Sequence, residues 1–551
     1  MNPARSRCRT NTTRAMSQPT EPQTTLAKSD SLLPHDEDAL LGLSLINKPT
    51  STGNFIFPGA SAESTTVLIE KLKHNFLHHH AFFGQQGFHN HAMDHILAVY
   101  GLGGSPEAIE ETYISHDYND PVKPSPERIT DANFFEHLGD DKYYYAYMIY
   151  FCKVLSTSTP TEVLDKYIFS SAYNFNANLP STQQQPAMLD RFLAGVVHPL
   201  IHVGYGVEFG IIQQIADGLA HTAIHPAKQS SILPPELFTS PDPLLRGFSS
   251  SKAAASRPPF LFFVEKLLAD SRLTPSALKL PREGMPSPMT HDGAGEVVKK
   301  IVDKWYDAWV VGAKDQELEG RIEGMVEDVL LSAAVMYGIP GYATKGDRAF
   351  NADFFTMHFV TSANFIPNLC LRPEATRAPA LNPPLPLSAR LILLRAHLSS
   401  IALLFVTRPR PTLSSFAKAI PAFYAATDSL VSPPPAPHAY EPGKPPKREF
   451  IDPTKQRTMP AGARAWPRII ENVACHPNEH LPKLIRSLAA ADTWYGRRAR
   501  GEYAGALDGS ELLDGTVFLR CALLSMERLG WASEKTPGAM WDRDGYRSVA
   551  E

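Results

Sequence analysis

Histidine is concentrated in one short part of this 551-residue chain. Seven of the 20 histidines fall between His74 and His95. His91 and His95 are four residues apart in a stretch, from about Asn90 to Tyr100, that the spacing of apolar residues predicts to be helical. Two residues four apart on a helix have Cβ atoms about 5–6 Å apart on one face. Both imidazoles can therefore reach one metal ion.

Two further places offer histidines of the same kind. His198 and His202 form a second pair four residues apart, but Pro199 follows His198 directly. The residue before a proline is pushed out of the α region, so we expect His198 to precede the helix that carries His202. His358 is an isolated candidate in an apolar stretch, Asp353 to Phe365, that is also predicted to be helical.

These spacings leave two interpretations open. The HxxxH pattern lacks the glutamate of the zinc-protease motif HExxH, and such a pair arises readily in a histidine-rich helix. A helical histidine is commonly a hydrogen-bonded core or surface residue rather than a ligand. From the residues alone, the chain holds either a metal site or a polar histidine core.

The elements that carry these histidines are predicted to be helices. Apolar residues recur at near-helical spacing, as at Leu68, Leu72 and Phe76, whereas the alternation typical of strands is scarce. Ser105 followed by Pro106 predicts a helix start, with a capping hydroxyl and proline at the first helical position. Residues 206–224 are predicted to be helical as well.

Proline marks the loops between these helices. The chain has 48 prolines, clustered near 234–259, 373–386 and 433–460. Proline lacks a backbone donor, so such stretches do not continue a helix. We expect a mainly α protein: one large helical domain over 41–551, with a histidine-rich helical core and Pro-rich loop insertions, after a disordered tail over 1–40.

Composition narrows the function classes. A net charge of −4 gives no basic surplus for nucleic acid or an anionic membrane, and five scattered cysteines without a CxxC argue against a disulfide framework or a cysteine zinc site. Residues 391–406 are apolar but contain Arg395 and His397, so we expect a buried helix rather than a membrane span. We predict a cytoplasmic protein. A mitochondrial transit peptide in the Arg-rich first thirty residues is the minor alternative.

Four ordered blocks of the sequence resemble the questin oxidase-like family. The resemblance spans roughly residues 60–530, excluding the Pro-rich insertions. The blocks are Phe88-His89-Asn90-His91 through Gly103, His198-Pro199-Leu200-Ile201-His202 through Glu208, Asp353-Phe354-Phe355 through Ser362, and His480-Leu481-Pro482-Lys483 through Leu488.

The resemblance implies an oxidoreductase of fungal secondary metabolism. Its substrates would be dioxygen and an anthraquinone-type aromatic polyketide, with a quinone ring opened by Baeyer–Villiger-like oxygen insertion. It further implies Fe(II) held by histidines and a carboxylated lysine, and NADPH as a reductant in some members. The glycines around Gly101 and Gly204 do not follow a predicted strand, so neither is a dinucleotide fingerprint.

The resemblance also assigns a metal-ligand set. The implied ligands are His91, His95, His202 and His358, with His198 as the alternate, and Lys483 as the modified lysine. A buried lysine has a depressed pKa, and its neutral amine captures carbon dioxide to give a carboxylate. Without the resemblance, Lys483 is interpreted as a solvated helix lysine beside Arg486.

Three features near these positions raise further expectations. Position 94 is Asp94, where the resemblance leads us to expect histidine; as a neighbour it would orient a ligand histidine by accepting its N–H, and as a ligand it would alter the metal site. Glu208 and Tyr205 are candidate acid or base groups through their proximity in sequence. A run of tyrosines is interpreted first as ordinary core and second as the lining of an aromatic substrate pocket: Tyr143, Tyr144, Tyr145, Tyr147 and Tyr150.

Two rival functions remain open from the sequence. His116-Asp117 is an HD dipeptide, and His91 with Asp217 completes the order found in helical HD-type metal phosphohydrolases. Tyr118 and the residues after it read as a turn, which weakens that assignment. The other rival is a non-catalytic relative, in which the histidines form a structural metal site or a polar core.

Overall fold

Helices form nearly all of the regular structure, as the spacing of the apolar residues predicts. The computed structural model describes residues 48–546 except 52, 56, 86, 177, 180–183, 230, 240–258, 281–291, 314, 344–349, 375–378, 432–464, 506 and 535–537. Over this part of the chain the only strands form a two-residue antiparallel pair, β1 (Phe82–Phe83) and β2 (Phe88–His89). The predicted mainly α domain is confirmed.

The α-helices of the described residues fall into two runs along the chain. The first run is α1 (Ala62–His78), α2 (Ala92–Gly101), α3 (Pro106–Ile114), α4 (Tyr144–Leu155), α5 (Pro160–Leu164), α6 (Met188–Phe192), α7 (Ala194–Phe209), α8 (Ile212–Ile224) and α9 (Glu236–Thr239). The second run is α10 (Phe262–Ala269), α11 (Asp292–Val310), α12 (Asp315–Ala343), α13 (Phe354–Ala363), α14 (Ile366–Cys370), α15 (Leu387–Val406), α16 (Leu413–Val431), α17 (Ala465–Val473), α18 (Leu481–Tyr495) and α19 (Val517–Leu529).

Local sequence signals explain where several helices begin. The Ser105 hydroxyl accepts a hydrogen bond from the Ala108 amide at 3.2 Å, with Pro106 at the first helical position, as predicted. Asp353 caps α13 by accepting from the Phe355 and Thr356 amides at 3.1 and 2.9 Å. These caps satisfy first-turn amides of α3 and α13 that have no partner within the helix.

The helix expected over residues 206–224 is two helices. Gly210 adopts the left-handed conformation, with φ 67°, and ends α7 one residue after Phe209. This glycine C-cap reverses the chain, so α8 packs back along α7. A Cβ at Gly218 would lie 2.5 Å from the Val203 backbone nitrogen, so glycine permits the close approach of the two helices.

The apolar helix α15 is buried, as predicted. Within the described part of the chain it alone is long and apolar enough to cross a membrane, and its apolar stretch is entirely buried in the protein. Two of its polar residues have clear partners: Arg390 forms a bidentate ion pair with Glu319 at 2.7 and 2.8 Å, and the His397 ring lies 2.9 Å from the Ser362 hydroxyl. Buried charges are tolerated when they are paired in this way.

The predicted tail and two of the Pro-rich insertions lie wholly or mostly outside the described residues. The tail (1–40) and the 433–460 insertion are not described, and of the 234–259 insertion only its ends are, including α9. In the remaining insertion, residues 379–386 follow an irregular path into α15 with a cis peptide bond before Pro383. That segment is a loop, as predicted.

Candidate metal centre

His91 lies just before the first turn of α2 rather than on the helix face shared with His95. It is the N-cap residue, with non-helical dihedrals of φ −104° and ψ 2°. Its ring centroid is 4.8 Å from that of His198 and 4.6 Å from that of His480. Candidate ligand atoms of these three buried histidines all lie within 4.8 Å of one another. His91 thus joins histidines from α7 and from the start of α18.

An unusual left-handed turn positions His198. Gly195, Val196 and Val197 have φ values of 55°, 58° and 62°, and His198 follows directly. L-residues adopt this conformation at a cost of about 1–2 kcal/mol each, and such strain clusters at functional sites. The turn brings His198 Nδ1 into a hydrogen bond with the Gly195 carbonyl oxygen. The non-helical dihedrals end at Val197, so His198 lies on the first regular turn of α7, and the expectation that it precedes the helix carrying His202 is wrong.

Two of the histidines are held in the same tautomer by backbone carbonyls. His198 donates its Nδ1–H to Gly195, and His358 donates its Nδ1–H to the Phe354 carbonyl at 2.8 Å. A neutral imidazole that donates through Nδ1 carries its lone pair on Nε2. In both residues Nε2 is buried and has no hydrogen-bond partner.

A relay of hydrogen bonds fixes His95 in the same way, and the carboxylate at its end also faces His480. Tyr118 donates its hydroxyl proton to Glu479 at 2.5 Å, so it accepts from His116 Nδ1 at 2.9 Å. His116 Nε2 then accepts from His95 Nδ1 at 3.0 Å, which leaves the lone pair of His95 on Nε2. The other Glu479 oxygen is 3.3 Å from His480 Nδ1. Nε2 of both His95 and His480 lacks a partner.

The donor set fits a transition-metal ion. Four buried histidines each have an Nε2 atom without a hydrogen-bond partner: His95, His198, His358 and His480. Each unsatisfied buried polar group costs about 1–3 kcal/mol. Metal-binding histidines donate their second N–H to a carbonyl, a carboxylate or another acceptor, which is the arrangement found here. Orphaned lone pairs with anchored opposite nitrogens therefore indicate a metal site more than a self-contained polar core.

Lys483 lies among these histidines on the first turn of α18. Burial lowers the pKa of its amine, despite the opposing charges of Asp94 and Glu479. After burial, which is the largest cause, the Lys483 charge contributes to the lowered pKa values of the surrounding histidines: His91, His95, His198, His358 and His480. A lysine in this setting favours the neutral amine that the resemblance requires.

Sequence reasoning quoted His480 but did not count it among the ligands. The available signal was its position three residues before Lys483, which places both side chains on one turn at the start of a helix. The assignment of His91, His95, His198, His358 and Lys483 as ligands stays a prediction. The structure brings all five into one region with His480.

His202, also assigned as a ligand, lies in a different group. Its Nδ1 is 3.2 Å from Asp217 Oδ2, and its ring centroid is 4.1 Å from that of His221. Its Nε2 is 3.6 Å from Asp94 Oδ2. Burial alone would lower the pKa of His202, but Asp94 and Asp217 together raise it. Burial raises the pKa of Asp94. Asp94 thus faces a histidine, as expected for a neighbour that orients a ligand.

Glu208 and Tyr205 both contact Arg486. The Glu208 carboxylate accepts from the Arg486 guanidinium and from the Asn54 amide, and both members of the ion pair are fully buried. Arg486 lies over the Tyr205 ring, 5.5 Å from its centroid. The structure therefore gives both residues a structural partner. Their roles as acid or base stay predictions.

Replacing Glu208 separates a structural role from a catalytic one. We expect Glu208→Gln to lower the free energy of unfolding by about 3 kcal/mol, since it leaves the Arg486 charge buried without its partner. The metal content of the folded variant should be unchanged. Urea unfolding with metal analysis measures both, and Glu111→Gln on the surface is the control. Full stability with lost turnover would instead support the acid–base role.

A cavity of about 1020 Å³ adjoins the histidines. Phe82, His89, Gly195 and His225 are among the residues that line it. The His89 ring stacks on His198 with centroids 3.9 Å apart, and the carbonyl of Gly195 accepts the His198 N–H. One layer of residues therefore separates the cavity from His198.

The tyrosine run of α4 is core and not pocket lining. All five tyrosines are buried, and none lines the cavity. Tyr147 donates to the Phe134 carbonyl at 2.6 Å, and Tyr150 donates to Asp131 at 2.5 Å. Their hydroxyls thus have partners in the core, as buried tyrosines usually do. Phe82 instead supplies an aromatic face of the cavity.

The buried histidines predict acid sensitivity. Burial lowers the pKa values of His116, His358 and His397 to about 3. Because the unfolded histidines bind protons near pH 6.5 and the folded ones do not, stability falls as the pH drops below about 6.5. Three carboxyls whose pKa is raised to about 6 act in the opposite sense: Asp190, Asp307 and Asp492. They are outnumbered, because burial also lowers the pKa values of further histidines: His89, His91, His95, His198, His221, His225 and His480.

The measurement is urea unfolding of metal-free protein from pH 7.5 to 5.5. We expect the free energy of unfolding to decrease steadily over this range. His397 lies outside the cluster against Ser362, so His397→Asn should make the slope shallower by about one proton while leaving the centre intact. A flat or rising profile would contradict the assignment of neutral buried histidines.

The HD-phosphohydrolase alternative does not match the geometry. His116 is buried against His95, but Asp117 is exposed on the following turn. Asp217 belongs with His202 and His221. An HD site requires the histidine and the aspartate of the dipeptide on one metal, which these positions do not provide.

The fold and the site define the class of protein. It is a helical protein built around a buried cluster of histidines with Lys483, in which four imidazole nitrogens have no hydrogen-bond partner. The chain belongs to the questin oxidase-like family, whose profile matches residues 88–488. The resemblance seen in the sequence is thus confirmed.

Characterised proteins of fungi are similar to this chain. It is 26% identical over 330 residues to the Baeyer-Villiger oxidase AgnL3 of Paecilomyces divaricatus, covering 58% of this chain and 64% of that protein. It is 27% identical over 325 residues to the Baeyer-Villiger oxidase GME11358 of Pestalotiopsis microspora, covering 57% and 65%. It is 24% identical over 330 residues to the questin oxidase of Aspergillus fumigatus, covering 56% and 63%. The matches span just under two thirds of each relative.

Proposed function

We propose that this chain is an oxidoreductase that opens a ring of an anthraquinone-type polyketide by Baeyer–Villiger-like oxygen insertion, at a non-heme iron. Two kinds of support converge on it. The relatives are named questin oxidase and Baeyer-Villiger oxidases. The site contains four buried histidine lone pairs without partners around Lys483. This second observation carries the proposal, because it belongs to the chain itself.

The proposed iron ligands come from these four histidines and from His91, whose Nδ1 is also buried without a hydrogen-bond partner. His91, His198 and His480 lie closest together, with His95 and His358 beside them. A neutral Lys483 would react with carbon dioxide to give a carbamate, which adds an anionic oxygen to the imidazoles. Fe(II) held by these residues would supply an open position for dioxygen and Lewis acidity toward a substrate carbonyl.

The residues of the chain would perform three tasks in the reaction. Glu479 and the carbonyls of Gly195 and Phe354 hold the imidazoles in one tautomer, so that no reorganisation is needed. The cavity over His89 and Gly195 would take the flat substrate, with Phe82 against its ring. The buried site would keep bulk water from the reacting carbon.

The hydrogen-bonded pair His89 and His225, which lines the cavity, would govern contact with the substrate. His225 donates its Nδ1–H to the His221 carbonyl at 2.7 Å, so its Nε2 accepts from His89 Nε2 at 2.8 Å. His89 is thereby held parallel to His198. We infer that His89 lies between the bound substrate and the metal-site histidines.

Oxygen consumption with anthraquinones tests the proposal. The iron-loaded protein is incubated with an anthraquinone panel, and oxygen uptake and product mass are recorded under ¹⁸O₂. Insertion of one oxygen atom requires two electrons and two protons to reduce the other atom to water, which NADPH and one proton from solvent would supply; insertion of both requires no reductant. Uptake that depends on iron and substrate supports the proposal. A folded, iron-loaded protein that leaves the whole panel unchanged favours the non-catalytic relative.

A further inference from the structure

A second group of buried side chains lies where α4, α7 and α8 meet. It consists of His202, Asp217 and His221, all fully buried, with candidate ligand atoms within 4.8 Å of one another. Asp217 Oδ2 is 3.2 Å from His202 Nδ1 and 3.5 Å from His221 Nε2. A tetrahedral ion with bonds of about 2.1 Å sets its ligand atoms roughly 3.4 Å apart. The separations fit such an ion.

Hydrogen bonding does not account for this group. Both ring nitrogens of His221 and the Oδ2 atom of Asp217 are buried without a hydrogen bond of adequate geometry. Polar groups buried in this way each cost about 1–3 kcal/mol, and native structures contain few of them. Asp217 Oδ2 and His221 Nε2, which are 3.5 Å apart, therefore face one position without a hydrogen-bond partner, which indicates that a ligand satisfies them together.

The surroundings match those of a metal site. Tyr144 donates its hydroxyl proton to Asp217 Oδ1, which leaves Oδ2 as the available oxygen. Asp94 Oδ2 lies 3.6 Å from His202 Nε2, an ion-pair distance that favours the proton on Nε2 and leaves Nδ1, 3.2 Å from Asp217, for the cation. The Gln214 amide nitrogen is 3.3 Å from His202 Nδ1, and its Oε1 has no partner. Exchanging these two amide atoms would place an oxygen beside the same position.

We propose that His202, Asp217 and His221 bind a second divalent cation, distinct from the ion of the His91, His198 and His480 group. Two imidazoles and a carboxylate suit a borderline cation such as Zn²⁺, Mn²⁺ or Fe²⁺. Asp94 orients His202 for this ion and is not itself a ligand. The site joins α7 to α8, with α4 contributing through Tyr144.

Cobalt stoichiometry tests the second site without relying on activity. Protein without an affinity tag is stripped with chelator, saturated with Co²⁺ under anaerobic conditions, desalted and analysed for cobalt and for d–d absorption. We expect two Co²⁺ per wild-type chain. Asp217→Asn should retain one, and His480→Ala should also retain one, with a different absorption spectrum. His221→Gln is the second variant for the new site, and circular dichroism checks that each variant is folded.

The outcomes separate this site from the proposed iron centre. A single Co²⁺ that Asp217→Asn and His221→Gln keep and His480→Ala loses would overturn the second site and leave the proposed function intact. A single Co²⁺ with the opposite pattern would support the second site and overturn the iron centre. Wild-type protein that binds no Co²⁺ would overturn both.

Discussion

Lys483→Met should empty the proposed iron centre and abolish turnover. Methionine fills the volume of the buried lysine stem without an amine, so the fold should persist while the carbamate cannot form. We expect iron to fall from about one per chain to near zero. Turnover should drop by about 10³-fold or more, since loss of the several kcal/mol that a metal ion contributes corresponds to that factor. Iron analysis after anaerobic reconstitution and oxygen uptake measure the two effects.

A spectroscopic readout tests the chemistry of Lys483 directly. Zinc-substituted protein incubated with ¹³C-bicarbonate should show a carbamate resonance that is absent from Lys483→Met, because burial lowers the pKa of the amine and keeps it nucleophilic. Lys153→Ala, an exposed lysine on α4, is the matched control and should behave as the wild type. Lys483→Met protein with full iron and full turnover would show that the lysine is only a core residue.

His480→Ala should cause a loss of similar size. The Nε2 atom of His480 has no hydrogen-bond partner, and its Nδ1 faces Glu479. Its ring centroid is 4.6 Å from that of His91 and 5.4 Å from that of His358. Removing one of a few imidazole ligands should cost more than the roughly 10–100-fold typical of residues that only orient ligands. We therefore expect iron affinity to fall beyond that range, measured by competition with a chelator.

His476→Ala is the matched control for His480→Ala. His476 lies in the same loop, with its Nδ1 accepting from the Asn478 amide at 3.1 Å and its Nε2 near the Leu529 carbonyl at 3.2 Å. The substitution His476→Ala therefore disturbs the loop without removing a candidate ligand. Equal iron loss in both variants would mean that loop geometry, and not coordination by His480, controls metal binding.

Much of the fold could be predicted from local sequence. Helix starts at Ser105 and Asp353 follow from side chains that cap the amides immediately after them, and a helix needs only neighbours along the chain. The buried character of α15 follows from its composition. The helix break at Gly210 was missed because Val207 before it and Ile211 and Ile215 after it continue one apolar pattern, and only the reversal onto α7 requires the left-handed glycine.

The site divides in the same way. The sequence by itself determined that the histidines at positions 91, 95, 198, 202 and 358 lie on or beside helices of a mainly α protein. The tertiary structure alone decided that His91 meets His480, that His202 meets Asp217 and His221, and that Glu208 meets Arg486. The spacing of residues in the sequence indicates only which side chains lie on the same turn of one helix. Which turns face one another is set by packing between helices far apart in the chain, and that packing also selects the nitrogen of each imidazole that is left free.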